Sequence, residues 1–220
     1  MGSELLKSEE LMEWESRKRA RFVNSLSGFK SANLVGTHHP ESGDNLSIVS
    51  SVVHLGSTPP MMGFVLRPPG EESHTYKNIK STGVCTLSHV NEDIIEESHQ
   101  TSARYSRGCS EFDEVGLTPR MVSGWVAPCV EESKVKMGLS LVEDTELANG
   151  CRFMTCAVEW FEVESEGFCS DGYVDLHGLG GVSISGLDGY HRTPGISRLS
   201  YAKIDREIEK KEDFREGWAE

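Results

Sequence analysis

The sequence predicts a mainly β chain, with short helices set around a barrel. Three observations carry that expectation. Apolar and β-branched runs of strand length recur along the chain, cut by Gly, Pro, Asn and Ser. Two of them flank a tight Thr58-Pro59-Pro60 turn. The second half is mostly strand text, and 220 residues suit a single barrel domain with a sizeable core. No internal repeat, linker or low-complexity segment divides the chain. Residues 1–24 read as an N-terminal helix or arm, 25–204 as the barrel domain, and 205–220 as a C-terminal helix or tail.

Composition narrows the function. A hydrophobic share of 37% with 26% charged residues fits a soluble globular protein. The formal net charge of −13 argues against non-specific nucleic-acid binding. The N-terminus is charged and lacks the apolar core of a secretory signal, and no apolar run approaches the ~20 residues of a membrane helix. The six cysteines form no C-x-x-C pair. Cys85, Cys151 and Cys156 lie in apolar strand text, so they read as reduced thiols in or near the core of a cytoplasmic protein.

Taken in order, residues Glu4 to Arg21 carry helical spacing at Leu11, Trp14 and Lys18. The basic run Arg17 to Arg21 reads as a solvated helix face. Ser27-Gly28 marks a turn, and Leu34-Val35 begins the first barrel strand. His38 to Asp44 is loop text, and the adjacent His38 and His39 would point apart in an extended chain.

A strand rich in serine and β-branched residues follows from Asn45 to Leu55. It pairs with Met61–Leu66 across the Pro-Pro turn. Alternation puts Asn45, Ser47, Val49 and Ser51 on one face, and Leu46, Ile48, Ser50 and Val52 on the other. Contact of both Ser50 and Ser51 with one ligand would require a bulge or a backbone contact.

After Arg67 a Pro/Gly loop leads to a short helix, with Ser73 a good N-cap and Gly83 its end. A helix N-terminus accepts anions, because its first N–H groups lack partners and carry partial positive charge. Thr75 and Asn78, three apart, share a helix face, and Arg67 adds a fork suited to phosphate. Lys77 and Lys80 are further local cations. On pattern alone, an ordinary capped helix after a hairpin, with Arg67 solvated, accounts better for the same residues.

Val84 to Ser88 reads as a strand, Asp93 to Tyr105 as a helix, and Gly108 to Thr118 as a loop in which Phe112 and Leu117 anchor to the barrel. Val135–Val142 and Cys151–Val163 read as strands, with Met154 to Val158 in the barrel core. The run His177-Gly178-Leu179-Gly180-Gly181 lacks the following helix that a dinucleotide fingerprint needs, so it reads as a hairpin turn. Asp205 to Glu220, with Glu207 and Lys211 four apart, reads as a terminal helix or a frayed tail.

An ordered set of motifs resembles the flavin reductase-like, FMN-binding split-barrel family. It comprises Asn45…Ser50, Pro59-Pro60, Gly63-Phe64-Val65-Leu66-Arg67 and Thr75-Tyr76-Lys77-Asn78-Ile79. Phe29 to Thr37, Ser110-Glu111-Phe112…Gly116-Leu117-Thr118, Gly186…Tyr190 and Arg198-Leu199-Ser200-Tyr201 extend the likeness over most of the barrel. The resemblance implies a Greek-key split β-barrel, a homodimer with FMN near its interface, and hydride transfer between NADH or NADPH and flavin N5. It assigns Asn45, Ser47, Ser50 and Ser51 to the ring and ribityl chain, and Arg67, Thr75 and Asn78 to the phosphate. Tyr190 and Tyr201 become ring-edge or phosphate-side contacts. Ser102, Ala103, Tyr105 and Ser106 become walls of the substrate pocket, with His54 at its edge or simply structural. No catalytic side chain is implied, because the flavin carries the chemistry. The acceptor stays open among free flavin, a partner oxygenase, a metal chelate and a small organic substrate. Two other readings also fit: an FMN-binding electron carrier without its own NAD(P)H site, and a relative binding another planar ligand such as haem.

Overall fold

A computed structural model of the chain describes residues 2–218. Two short helices, α1 (Ser8–Met12) and α2 (Ser16–Leu26), precede β1 (Lys30–Ser31), β2 (Asn33–His39), β3 (Gly43–Val49), β4 (Val53–Ser57) and β5 (Pro60–Leu66). Helix α3 (His74–Thr82) leads to β6 (Val84–His89). A 3₁₀ turn at Glu92–Ile94 continues into α4 (Ile95–Gln100), and α5 (Glu111–Val115) follows. The second half holds β7 (Pro119–Arg120), β8 (Cys129–Val130), β9 (Val135–Glu146), β10 (Arg152–Val163), β11 (Val182–Ser185), β12 (Gly189–Arg192), β13 (Arg198–Leu199) and β14 (Lys210–Lys211).

The main sheet is antiparallel, in the order β3-β2-β6-β9-β10-β5-β4. Its two edge strands, β3 and β4, are separated in sequence by Ser50 to Val52 alone. That link spans at most about 14 Å, whereas seven flat strands would set the edges roughly 29 Å apart. The sheet must therefore curl until its edges meet, and a barrel results. Ser51 fixes the seam: its Oγ accepts from Val65 N–H at 3.0 Å and donates to Val65 O at 3.1 Å. Register shifts on β10 at Thr155/Cys156 and Val158/Trp160 add the local twist that closure needs. A second sheet, β1-β11-β12, covers one flank.

Alternation along β2 and β3 divides the core in two. Val35 joins Phe64, Leu87, Leu139, Met154 and Cys156 inside the barrel, with Val49 packed against them. Leu34 and Leu46 point the other way, into a cluster with Phe112, Leu117, Val130 and Ile184. Cys85 and Cys156 are both buried and free; the neighbouring Cys156 thiol and burial push the Cys85 thiol well above its usual range. Gly138 is required because a Cβ there would lie 2.0 Å from Trp160 Nε1.

Several expectations change. The predicted strand Asn45–Leu55 is two strands on opposite edges, broken where Ser51 turns its hydroxyl to the Val65 backbone. Only its second part pairs with β5. His38 and His39 end β2, and Gly43 and Asp44 begin β3, so that loop shrinks to its tip; His38 Nδ1 meets Asp44 Oδ1 across the pair at 2.7 Å. The helix after Asp93 stops at Gln100, leaving Ser102 to Tyr105 in turn and loop. The N-terminal helix breaks before Glu15, whose carboxylate caps Arg17 N–H and Lys18 N–H. His177–Gly181 is a compact loop, not a hairpin: Gly181 N–H returns to Leu176 O and Gly178 N–H to Asp175 Oδ1. Residues 205–218 form no helix; β14 pairs with β13, and Arg198 holds Asp171 at 2.5 Å.

Candidate functional site

Helix α3 lies against β2 and β3. Its C-terminus is closed by Gly83 in the left-handed conformation. Its outer face is tied to β9 through Asp144, which accepts from Arg152 Nε at 2.7 Å and Tyr76 Oη at 2.9 Å and pairs with Lys80 at 3.1 Å. Arg152 first, with Lys80 and Tyr76, holds the Asp144 carboxyl down at about 2.

The inner face carries a buried polar cluster. Asn45 Nδ2 donates to Thr75 Oγ1 at 3.0 Å, and Ser47 Oγ lies 2.8 Å from the same oxygen. Asn78 Nδ2 donates to Thr37 Oγ1 at 3.1 Å. The alternation that put Asn45 and Ser47 on one face thus brings both onto Thr75. Thr75 can accept both bonds and keep its own hydrogen to donate.

At the N-terminus of α3, Lys77 N–H is the first to reach back to an intrahelical carbonyl, Ser73 O. Ser73 occupies the cap position, yet its Oγ accepts from Gly70 N–H at 2.8 Å and makes no cap bond. The first-turn amides therefore keep their donor capacity for an anion. Burial and the Arg107 guanidinium hold the His74 imidazole below its usual value, favouring the neutral ring. Lys77 and Lys80 are engaged elsewhere, with Glu71 O and Asp144.

A groove of about 410 Å³ opens between α2, the β3 end, α4 and the β11–β12 hairpin. Ile48, Val49 and Ile184 give it an apolar wall. Ser50 and Ser102 supply hydroxyls, and Arg67 a guanidinium. Tyr190 Oη lies 3.1 Å from His99 Nδ1, and the two rings meet edge to face. Burial, with Asp188 adding to it, pushes the Tyr190 phenol up to about 12, so it remains protonated.

Of the residues singled out in the sequence, Ser50, Arg67, Ser102 and Tyr190 meet in this groove. Asn45, Ser47 and Thr75 form the cluster beside it, with Asn78 further along α3. Ser51 lies at the seam with its hydroxyl committed to Val65. His54 is exposed on the edge strand β4, outside the groove. Ala103 and Tyr105 do not line it; Tyr105 Oη accepts from Gln100 Nε2. Tyr201 is 89% exposed and also lies outside it.

Sequence reasoning missed Arg17, Arg21, His99 and Glu111. The first two looked like a solvated basic run. Glu111 sits at the start of α5, and its buried Oε2 accepts from Leu46 N–H at 2.9 Å, replacing a strand neighbour on the β3 edge. Burial raises its carboxyl above the usual range, against the pull of that bond.

Comparison with known proteins decides the family. The flavin reductase like domain matches residues 27–177. The chain belongs to the flavin reductase-like family. Its fold is the split barrel: a candidate flavin reductase with split barrel domain from Shewanella frigidimarina NCIMB 400 is 47% identical, covers 91% of this chain and 100% of its own, and superposes with a TM-score of 0.87. Nitrilotriacetate monooxygenase component B from Bacillus cereus shares the fold at 19% identity and a TM-score of 0.77, covering 87% of this chain and 97% of its own. The NADH:FAD oxidoreductase of Streptomyces globisporus C-1027 does so at 12% identity and 0.66, covering 88% and 99%. No curated protein is similar enough to the chain to count as a relative. Membership in the flavin reductase-like family supports oxidoreductase activity of the flavin class.

Proposed function

We propose that this flavin reductase-like protein binds FMN in the groove and takes a hydride from NADH or NADPH for delivery to a flavin, a partner oxygenase or a small organic acceptor. The observation that carries the reading is the donor set of the groove. A flavin needs an apolar wall for its ring, hydrogen-bonding groups along its polar edge, and positive charge for its phosphate. Ile48, Val49 and Ile184 offer the first, Ser50 and Ser102 the second, and Arg67 the third, in a volume typical of cofactor sites. When bound, the flavin supplies hydride acceptance and donation at N5.

The chain's own residues bind and orient. Ser50 lies at the break after β3, where backbone groups leave the ladder and become free for a ligand. Thr75, aligned by Asn45 and Ser47, and the open first turn of α3 receive the phosphate together with Arg67. The protonated Tyr190 can donate to His99 and fix its ring at the mouth of the groove. We place the protein in the cytoplasm as a homodimer, with Tyr201 and His54 reaching a site only across a subunit interface.

An absorbance spectrum of the purified protein, taken before and after anaerobic NADH and then NADPH, tests this. Flavin bands that bleach with one nucleotide are expected, and they name the donor. Bands that resist both nucleotides would turn the reading to an electron carrier. A colourless protein that takes up no added FMN, or one with a haem spectrum, would overturn it.

A further inference from the structure

The basic run on α2 is placed against its own helix. Arg17, Lys18 and Arg19 lie in the first turn, which has no acidic residue, and the last turn has no basic one. Positive charge at a helix N-terminus is unfavourable, so the arrangement costs stability. Two members of the run have structural tasks. Lys18 sits over the Trp14 ring at 4.0 Å, and Arg19 donates to Met12 O and Trp14 O at 3.1 and 3.0 Å. Arg17 and Arg21 have none. They are four residues apart, on one helix face, and both line the groove.

No ion pair among the described residues includes Arg17, Arg21 or Arg67. In a chain of net charge −13, three unpaired guanidinium groups around one cavity are conspicuous. Two carboxylates stand near them: Glu15, which accepts from the backbone amides of Arg17 and Lys18 and feels both Arg17 and Arg21, and Asp188 in the groove lining. Two negative charges against three guanidinium groups leave the set net positive. Helix α2 ends at Leu26, just before residues 27–177, which match the family model.

We infer that Arg17 and Arg21 form a second phosphate-binding subsite, separate from the α3 end, that holds the diphosphate of a dinucleotide reaching into the groove. Two forked donors one helical turn apart suit the two adjacent phosphates of a diphosphate better than a single carboxylate. The diphosphate can belong to the nicotinamide donor or to FAD. The inference rests on the flavin reading above, and the test separates the two.

Titration calorimetry with ADP, with and without saturating FMN, reads the subsite directly in wild type and in R17A/R21A. Both arginines are exposed, so the variant keeps its fold. The expected result is ADP binding to wild type, weakened at least about tenfold in the variant and partly restored in R17K/R21K, with FMN affinity unchanged. A parallel loss of FAD affinity would assign the diphosphate to the flavin. A raised KM for NADH or NADPH at saturating FMN would assign it to the donor. No ADP binding to wild type, equal binding to both proteins, or equal losses for ADP and FMN would overturn the subsite and leave the FMN reading intact. Arginine-dependent ADP binding in a protein that never takes up flavin would keep the subsite and sink the FMN reading.

Discussion

At the residue scale, the site is defined by which polar groups are already spent. Thr75 holds Asn45 and Ser47, and all three are wholly or partly buried. Thr75→Val keeps the shape but strands two polar partners, so it should cost about 1–3 kcal/mol in a denaturant titration. Thr75→Ala combined with Asn78→Ala should also weaken FMN binding, by roughly 1.5–3 kcal/mol per charge-assisted bond lost. Calorimetry showing wild-type FMN affinity would remove both residues from the site. Asp144 gives a pH-dependent prediction. Its carboxyl falls from an ordinary 3.8 to about 2 in the folded protein, so its contribution is full above the unfolded value and disappears as pH falls through about 2. Asp144→Asn should therefore destabilise by on the order of 2 kcal/mol at pH 7, the low end for a buried pair because Lys80 is half exposed. Melting curves of variant and wild type should converge towards pH 2. A constant gap across that range would rule out the ion pair as the cause.

At the scale of elements, the seam at Ser50–Val52 decides the architecture. Ser51→Ala removes two bonds to Val65 and should cost about 1–2 kcal/mol, with amide exchange of β4 and β5 rising more than that of β6 and β9. Uniform acceleration across the sheet would show that the seam has no local role. The same seam marks the limit of what the sequence told. Periodicity located β2, β5, β6, β9 and β10, because each sets apolar residues into the barrel core, among them Val35, Phe64, Leu87, Leu139 and Met154, while β2 adds Leu34 to the second cluster. It merged β3 and β4, because the break between them is made by a side chain imitating a strand neighbour, which no local pattern encodes. The motifs brought Ser50, Arg67, Ser102 and Tyr190 into one groove. They missed Arg17 and Arg21, since a basic helix face reads as solvated until tertiary packing places it over a cavity. Glu111 was hidden for a related reason: its partner is a backbone amide 65 residues away.

At the scale of the whole molecule, the barrel leaves one ladder unfinished. β10 pairs with β5 only from Arg152 to Ala157, while its pairing with β9 continues to Val163. The segment beyond Ala157 is thus an edge, and it carries Phe161 at 57% exposure. An open edge bearing a large aromatic is a template for association, and self-pairing between identical chains is the simplest way to cover it. The net charge of −13 opposes such contact at long range, so a dimer held there must rely on apolar burial that salt strengthens by screening. Light scattering at low micromolar concentration should report a dimer that persists or tightens from about 50 to 500 mM salt. Phe161→Arg should shift the population to monomer. If Tyr201 and His54 complete the groove from a second subunit, the same variant should lower flavin affinity in proportion to the monomer it creates. A dimer that survives Phe161→Arg would move the interface to another face, and a wild-type monomer binding FMN at full affinity would confine the site to a single chain.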